Sequence, residues 1–255
     1  MKRVLLAVVL LFSAQVARAG PLGAEVQTWH YDSQKNFVTV RIVNTSQKEI
    51  TAFNLSVEVT LASGVSQFQV THDLLNIAVV LDRFKDTPDE PRLRARLGLG
   101  AIPVGGSYDE KITVLAGLKD FKAVLDVVAY ADKTAESANP AALQRLIAAR
   151  TAMANSIQKA NELITSAIAD STDTSPHTTA SSRVQNLFSA WKATPHYDVI
   201  DMNGGELTGI IRELNQVPSV KGDVSETEYL RSYIAAKAKE QATWRDQAQL
   251  TGGQK

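Results

Sequence analysis

Few side chains in this sequence could do chemistry. The four histidines, His30, His72, His177 and His196, are scattered. No two stand at the helical spacing of an H-E-x-x-H zinc site. His196, Tyr197, Asp198 and Asp201 could offer nitrogen and oxygen ligands to a metal, or could form a solvated loop after Pro195. His72 beside Asp73 could be a base oriented by a carboxylate, or an exposed pair where a strand turns. Asp170, Asp173 and nearby serines could hold calcium loosely, or make a polar linker. The most suggestive run is Arg92-Leu93-Arg94-Ala95-Arg96-Leu97. On a strand, Arg92, Arg94 and Arg96 would share one face and could grip a carboxylate or phosphate bidentately. The other reading is a solvated face partly neutralised by Asp86, Asp89 and Glu90.

Several reaction classes lack their parts. The chain has no cysteine, which excludes a thiolate nucleophile, a disulfide framework and cysteine-ligated metals. No G-x-S-x-G elbow, P-loop or calcium loop occurs. Leu97-Gly98-Leu99-Gly100 has only the first half of a dinucleotide fingerprint. Ser107 follows Gly105-Gly106 in a turn, where glycine serves the backbone. The expectation is therefore no catalytic residue, no metal and no cofactor that can be named. A glycan- or peptide-processing hydrolase with paired carboxylates, or its accessory subunit, stays open as an alternative, but no pair can be chosen.

The N-terminus reads as an address. Lys2 and Arg3 precede the apolar run Val4 to Phe12, and Ala17-Arg18-Ala19 places small residues at −3 and −1. That predicts a signal peptide over residues 1–19, cleaved after Ala19, and a periplasmic or secreted product. The run is too short for a membrane span, and no later segment is long enough either. Export without cysteine suits a bacterial protein better than a small eukaryotic extracellular module. The 27 basic and 27 acidic residues cancel, but the leader takes Lys2, Arg3 and Arg18, leaving 24 against 27. That slight acidity argues against a nucleic-acid partner.

The elements that would position these residues fall into two segments. Over residues 20–135 the pattern has period two. Val38, Val40 and Ile42 alternate with polar residues, as do Leu55, Val57, Val59 and Leu61. Further strand-like runs are Gln67–Thr71, Leu74–Leu81, Arg92–Leu97, Lys111–Leu115 and Lys122–Tyr130, with Trp29 and Tyr31 on an early strand as core residues. Many short strands with frequent turns predict a β-sandwich.

Over residues 136–250 the period becomes helical. Asn139-Pro140 opens a helix running to about Ala169, and a second covers Ala180–Ala193. The stripe Leu207, Ile210, Ile211 and Leu214 marks a third, and the capping box Ser225-Glu226-Thr227-Glu228 opens a fourth. Residues 251–255 read as frayed. Arg150 interrupts a seam of Leu143, Leu146, Met153, Ile157, Ala160 and Ile164 on the long helix. That seam could pack within the monomer or mediate self-association.

The run Val38 to Ser46, the strand Ile50 to Leu61, the turn Pro103-Val104-Gly105-Gly106-Ser107 and the final strand ending Val128-Ala129-Tyr130 carry a resemblance. Together they resemble FxLYD-type and related immunoglobulin-like modules of uncharacterised bacterial secreted proteins. The resemblance implies binding or structural duty outside the cytoplasm and supplies no catalytic residue. The expectation is an α+β protein: an antiparallel immunoglobulin-like sandwich followed by about four helices. Its expected role is a non-enzymatic module that presents a sheet edge or loops to a protein or envelope partner.

Overall fold

The structure is a computed structural model describing residues 22–98, 100–170, 175–193 and 202–254. The proposed leader, the His196–Asp201 group and Asp173 lie outside the described residues. The fold is α+β. Strands β1 (Ala24–Asp32), β2 (Phe37–Asn44), β3 (Ile50–Leu61) and β4 (Gly64–Asp73) lead into helices α1 (Leu75–Arg83) and α2 (Glu90–Leu97). Then come β5 (Ser107–Thr113), β6 (Leu118–Tyr130) and β7 (Thr134–Ser137). Helices α3 (Pro140–Asp170), α4 (Pro176–Ala193), α5 (Met202–Asn215), α6 (Val217–Val220) and α7 (Glu226–Gln247) follow, and β8 (Thr251–Gln254) closes the chain.

The strands make a three-stranded sheet, β1-β2-β5, and a five-stranded sheet, β4-β3-β6-β7-β8. All pairs are antiparallel except β7 with β8. Together they curl as a half-barrel. One apolar cluster takes the inward residues of both sheets: Val38, Val40 and Ile42 from β2, Phe53, Leu55 and Val57 from β3, and Phe121 and Leu125 from β6. The alternation in the sequence is what puts them there, since successive side chains of a strand point to opposite faces. Trp29 and Tyr31 pack against this cluster from β1. The first half of β3 is buried on both faces. Ala52, on its outer face, meets Ala142 and Leu146 of α3 together with Val127 and Ala129 of β6. Small side chains there let the helix lie close.

The four expected helices are present as α3, α4, α5 and α7, with the single turn α6 besides. Asn139 Oδ1 accepts the Ala142 N–H at 3.3 Å, and Ser225 Oγ accepts the Glu228 N–H at 3.2 Å, so both predicted caps form. The helices share a core of Ile164, Val184, Leu207, Ile210, Leu214 and Leu230.

Three expectations need correction. Leu74–Leu81 is largely helix α1, not strand. An apolar run interrupted only by Asn76 does not distinguish the two, and here Leu75 and Val79, one turn apart, are buried against Met153, Ile157 and Trp244. Arg92–Leu97 is likewise helix. Pro91 fits its first turn, and leucine, alanine and arginine all favour a helix. Residues 251–254 are not frayed. They add to β7 as a parallel strand, held by the Thr251 N–H on the Lys133 carbonyl at 2.9 Å. A Cβ on Gly252 would sit 2.8 Å from Leu143 Cδ2, so glycine lets this strand approach α3.

Candidate functional site

The arginine run loses its shared face in a helix. Arg92 and Arg96 stand one turn apart, but Arg94 points elsewhere at the helical angle. Arg94 Nη2 donates to Glu90 Oε1 at 2.8 Å, an exposed i,i+4 pair. The row of three guanidinium groups that the anion site required is therefore not formed. None of the helix is buried, which gives such an anion no low-dielectric floor.

His72 and Asp73 separate into two environments. On β4 they face opposite ways. His72 stacks on Phe53 with ring centroids 5.5 Å apart, and its Nε2 lies 2.9 Å from the Tyr108 hydroxyl of β5. Burial and the Glu110 carboxylate push the Tyr108 phenol up, so it stays protonated beside the imidazole. Glu110 Oε2 lies 2.9 Å from His72 Nδ1, an ion-pair distance without the alignment of a hydrogen bond. The trio bridges the two sheets at their edge strands β4 and β5. A base oriented by a carboxylate needs the aligned contact that is missing here.

Asp73 is buried instead of exposed. It meets Arg150 in a bidentate pair, with Nε on Oδ2 at 2.8 Å and Nη2 on Oδ1 at 3.0 Å, both side chains at most 1% exposed. Arg150 also donates to the Gln247 carbonyl at 2.8 Å and to Thr51 Oγ1 at 3.3 Å. The residue that interrupts the long-helix seam thus clips α3 to β3, β4 and the end of α7.

Two further clusters are invisible to sequence spacing. At the start of α4, Ser175 Oγ donates to Glu226 Oε1 at 2.6 Å, and the His177 N–H donates to the same oxygen at 2.5 Å. His177 Nδ1 lies 2.9 Å from it. Serine, histidine and glutamate resemble hydrolytic parts, and Ser175 Oγ also lies 2.5 Å from His177 Nδ1, but both the serine and the histidine are turned onto the one carboxylate. Burial pushes the Glu226 carboxyl up, yet the Ser175 and His177 contacts outweigh it and hold the group below the usual range. The arrangement is a cap supplied to α4 by the first residue of α7.

The second cluster joins α1, α5 and α7. Lys237 Nζ lies 2.6 Å from Glu206, 3.1 Å from Glu240 and 3.6 Å from Glu213. Arg83 reaches Glu213 at 2.6 Å and Glu240 at 2.7 Å. Tyr233 donates to Glu213 at 2.7 Å, and burial with that carboxylate pushes its phenol far up. Burial would raise Glu213, but Lys237 and Arg83 prevail and hold it low. A cleft of about 480 Å³ borders the cluster, lined also by Asn76, Val80, Met153 and Arg212. Each carboxylate is engaged by a buried or half-buried cation, which is the arrangement of a cross-link.

What the sheets leave open is an edge. Among the described residues, β4 has β3 on one side and no strand on the other. Its Val65 is 61% exposed and its Phe68 39% exposed. From Gly64 to His72 it carries no Asp, Glu, Lys, Arg or Pro. A strand edge of this kind offers unpaired backbone donors and acceptors with nothing to repel a visitor. Gln67–Thr71 reads as strand in the sequence, but edge position is a property of the sheet. No helix of the described residues is long and apolar enough to cross a membrane.

No family model matches the chain, and no curated protein matches it. Among solved structures it is similar to a hypothetical protein of Peptoclostridium difficile 630, known from a 1.85 Å X-ray structure. That likeness has 10% identity and a TM-score of 0.28, over 47% of this chain and 87% of the other. It is too slight to bear on fold or function.

Proposed function

We propose that this chain is an exported, non-enzymatic binding module that captures a protein partner of the bacterial envelope or extracellular space at the β4 edge. The observation that carries the reading is that edge: exposed from Gly64 to Gln69, with no strand beyond it among the described residues, and uncharged up to Asp73. Strand addition obtains affinity from main-chain hydrogen bonds and specificity from alternate side chains. In this reading the curled two-sheet half serves as an immunoglobulin-like module, the helices brace it, and the leader directs it to the periplasm or beyond.

The charged side chains support the same reading. Asp73 with Arg150, Glu226 at α4, and the Lys237 cluster all spend their charge on joining elements. A hydrolase with paired carboxylates would find its best footing among Glu206, Glu213 and Glu240. It needs a general acid whose carboxyl is pushed up, whereas Glu213 is held low.

The test is capture from an envelope fraction by the mature chain and by Gln67→Lys, which places a charge on the edge. The expected result is an identified protein retained by the first and lost by the second. Equal retention by both, or turnover of a glycan or peptide abolished by Glu206→Gln, would overturn the proposal. N-terminal sequencing of the exported protein should begin at Gly20, and a retained leader would contradict the compartment.

A further inference from the structure

The four sheet edges are not equally guarded. On the three-stranded sheet, β1 has a register shift between Val26 and Thr28 and carries Glu25 and Asp32. On the same sheet β5 carries Asp109, Glu110 and Lys111 in succession. On the five-stranded sheet β8 has only four residues. Bulges, charges and shortness are the usual means by which edges avoid pairing. Against these β4 has none of the three. It pairs with β3 residue for residue from Ala52 opposite Asp73 to Leu61 opposite Gly64, without a shift.

The β4 sequence is also partly symmetric about Phe68, although Gly64 would stand against His72. Read outward from Phe68, Gln67 matches Gln69, Ser66 stands against Val70, and Val65 against Thr71. In an antiparallel pair of identical strands, a two-fold axis at one residue places every other residue opposite its mirror position. With the axis at Phe68, phenylalanine meets phenylalanine, amide meets amide, and the β-branched Val65 meets the β-branched Thr71. Shifting the axis to Gln67 sets Phe68 against Ser66 and Val65 against Gln69, so the chemical matching is lost.

Resting on the reading that the β4 edge is a binding surface, we infer that its partner is a second copy of this chain. The two β4 strands pair antiparallel about a two-fold axis at Phe68. The absence of charge from Gly64 to His72 means that the two copies bring no like charges together along the paired length. Like charges directly opposite are what would forbid such a pair. Phe68, 39% exposed in the monomer, gains an aromatic cross-strand neighbour. Gln67 and Gln69 are already held on the outer face of their own sheet, Gln67 by Glu58 at 2.8 Å, and Gln69 by Asp126 at 3.3 Å and by Arg145 of α3. Because each copy uses the same edge, the contact is isologous and closes at two chains instead of growing into a fibre.

The absence of cysteine makes the register directly readable. In this pairing Phe68→Cys places two thiols directly opposite each other, within disulfide reach. Val65→Cys places its two thiols about 20 Å apart along the strands. Oxidation of the mature chain should therefore yield cross-linked dimer for Phe68→Cys and none for Val65→Cys. Sedimentation equilibrium should find a concentration-dependent dimer for the wild type and a twofold lower mass for Phe68→Lys, whose far-UV circular dichroism should be unchanged. Leu115→Lys, at an exposed site outside β4, should remain dimeric. A wild type that is monomeric at every concentration, a dimer that survives Phe68→Lys, or equal cross-linking at both cysteine positions would overturn the inference. A monomer whose β4 edge still captures an identified envelope protein overturns self-pairing alone and leaves the binding-module proposal standing.

Discussion

Arg150→Met tests how the strand and helix halves are joined. The substitution retains much of the aliphatic length and flexibility of the side chain, so the change in packing is small. What disappears is a fully buried charge with four hydrogen bonds: two to Asp73, one to the Gln247 carbonyl and one to Thr51. Asp73 is left as a buried carboxylate whose remaining donor is the Leu75 N–H at 3.1 Å. Removing one partner of a buried pair costs about 3–5 kcal/mol, chiefly by stranding the other charge. Against a usual domain stability of about 5–15 kcal/mol, that is a large fraction. The second arm adds Asp73→Asn to Arg150→Met. If the stranded charge is the main cost, the double variant recovers about 2 kcal/mol or more of the loss. Urea unfolding read by tryptophan fluorescence measures all the terms, with Trp29 in the strand half and Trp244 beside α1 and α3 as reporters. A loss below about 1 kcal/mol for Arg150→Met, or a double variant no more stable than the single, would refute the reasoning.

Other perturbations have distinct expected outcomes. Burial, aided by the Glu136 carboxylate, pushes the Tyr130 phenol up to about 12. An acid raised on folding contributes stability below its unfolded pKa, near 10, and loses it as pH rises towards 12. Thermal melts between those limits should therefore fall, and Tyr130→Phe should flatten the fall. Ser225→Ala removes the side-chain cap of α7 and should cost about 1 kcal/mol in denaturant titrations, while Ser225→Asp should retain most of the stability. A Cβ on Gly100 would lie 2.6 Å from the Cα of Ala78, so Gly100→Ala must displace α1. Overpacking of this kind costs about 1–3 kcal/mol, measurable as a lowered melting temperature.

Much of the architecture was legible because local chemistry and tertiary placement agree. The alternation of β2 and β3, the cap at Asn139, the long apolar stripe of α3 and the capping box of α7 all sit where their spacing places them. The failures share a cause. Leu74–Leu81 is apolar except for Asn76, so its period carries little information, and packing against Trp244 and Met153 decides for a helix. The arginine run alternates as a strand would, yet no sheet is there to receive it, and helix propensity after Pro91 prevails. Residues 251–254 have too little pattern to predict a strand, but β7 supplies a ladder that they join.

The candidate site divides in the same way. Sequence alone determined that cysteine chemistry is absent, that several familiar catalytic motifs are missing, and that Gln67–Thr71 is strand-like. It could not say that this run ends up at a sheet edge, since edge position depends on which strands pair and in what order. Nor could it bring Asp73 to Arg150, or Lys237 to Glu206, across many residues of intervening chain. Those meetings are made by folding, because a charge taken out of water must find its partner wherever the packed elements put one.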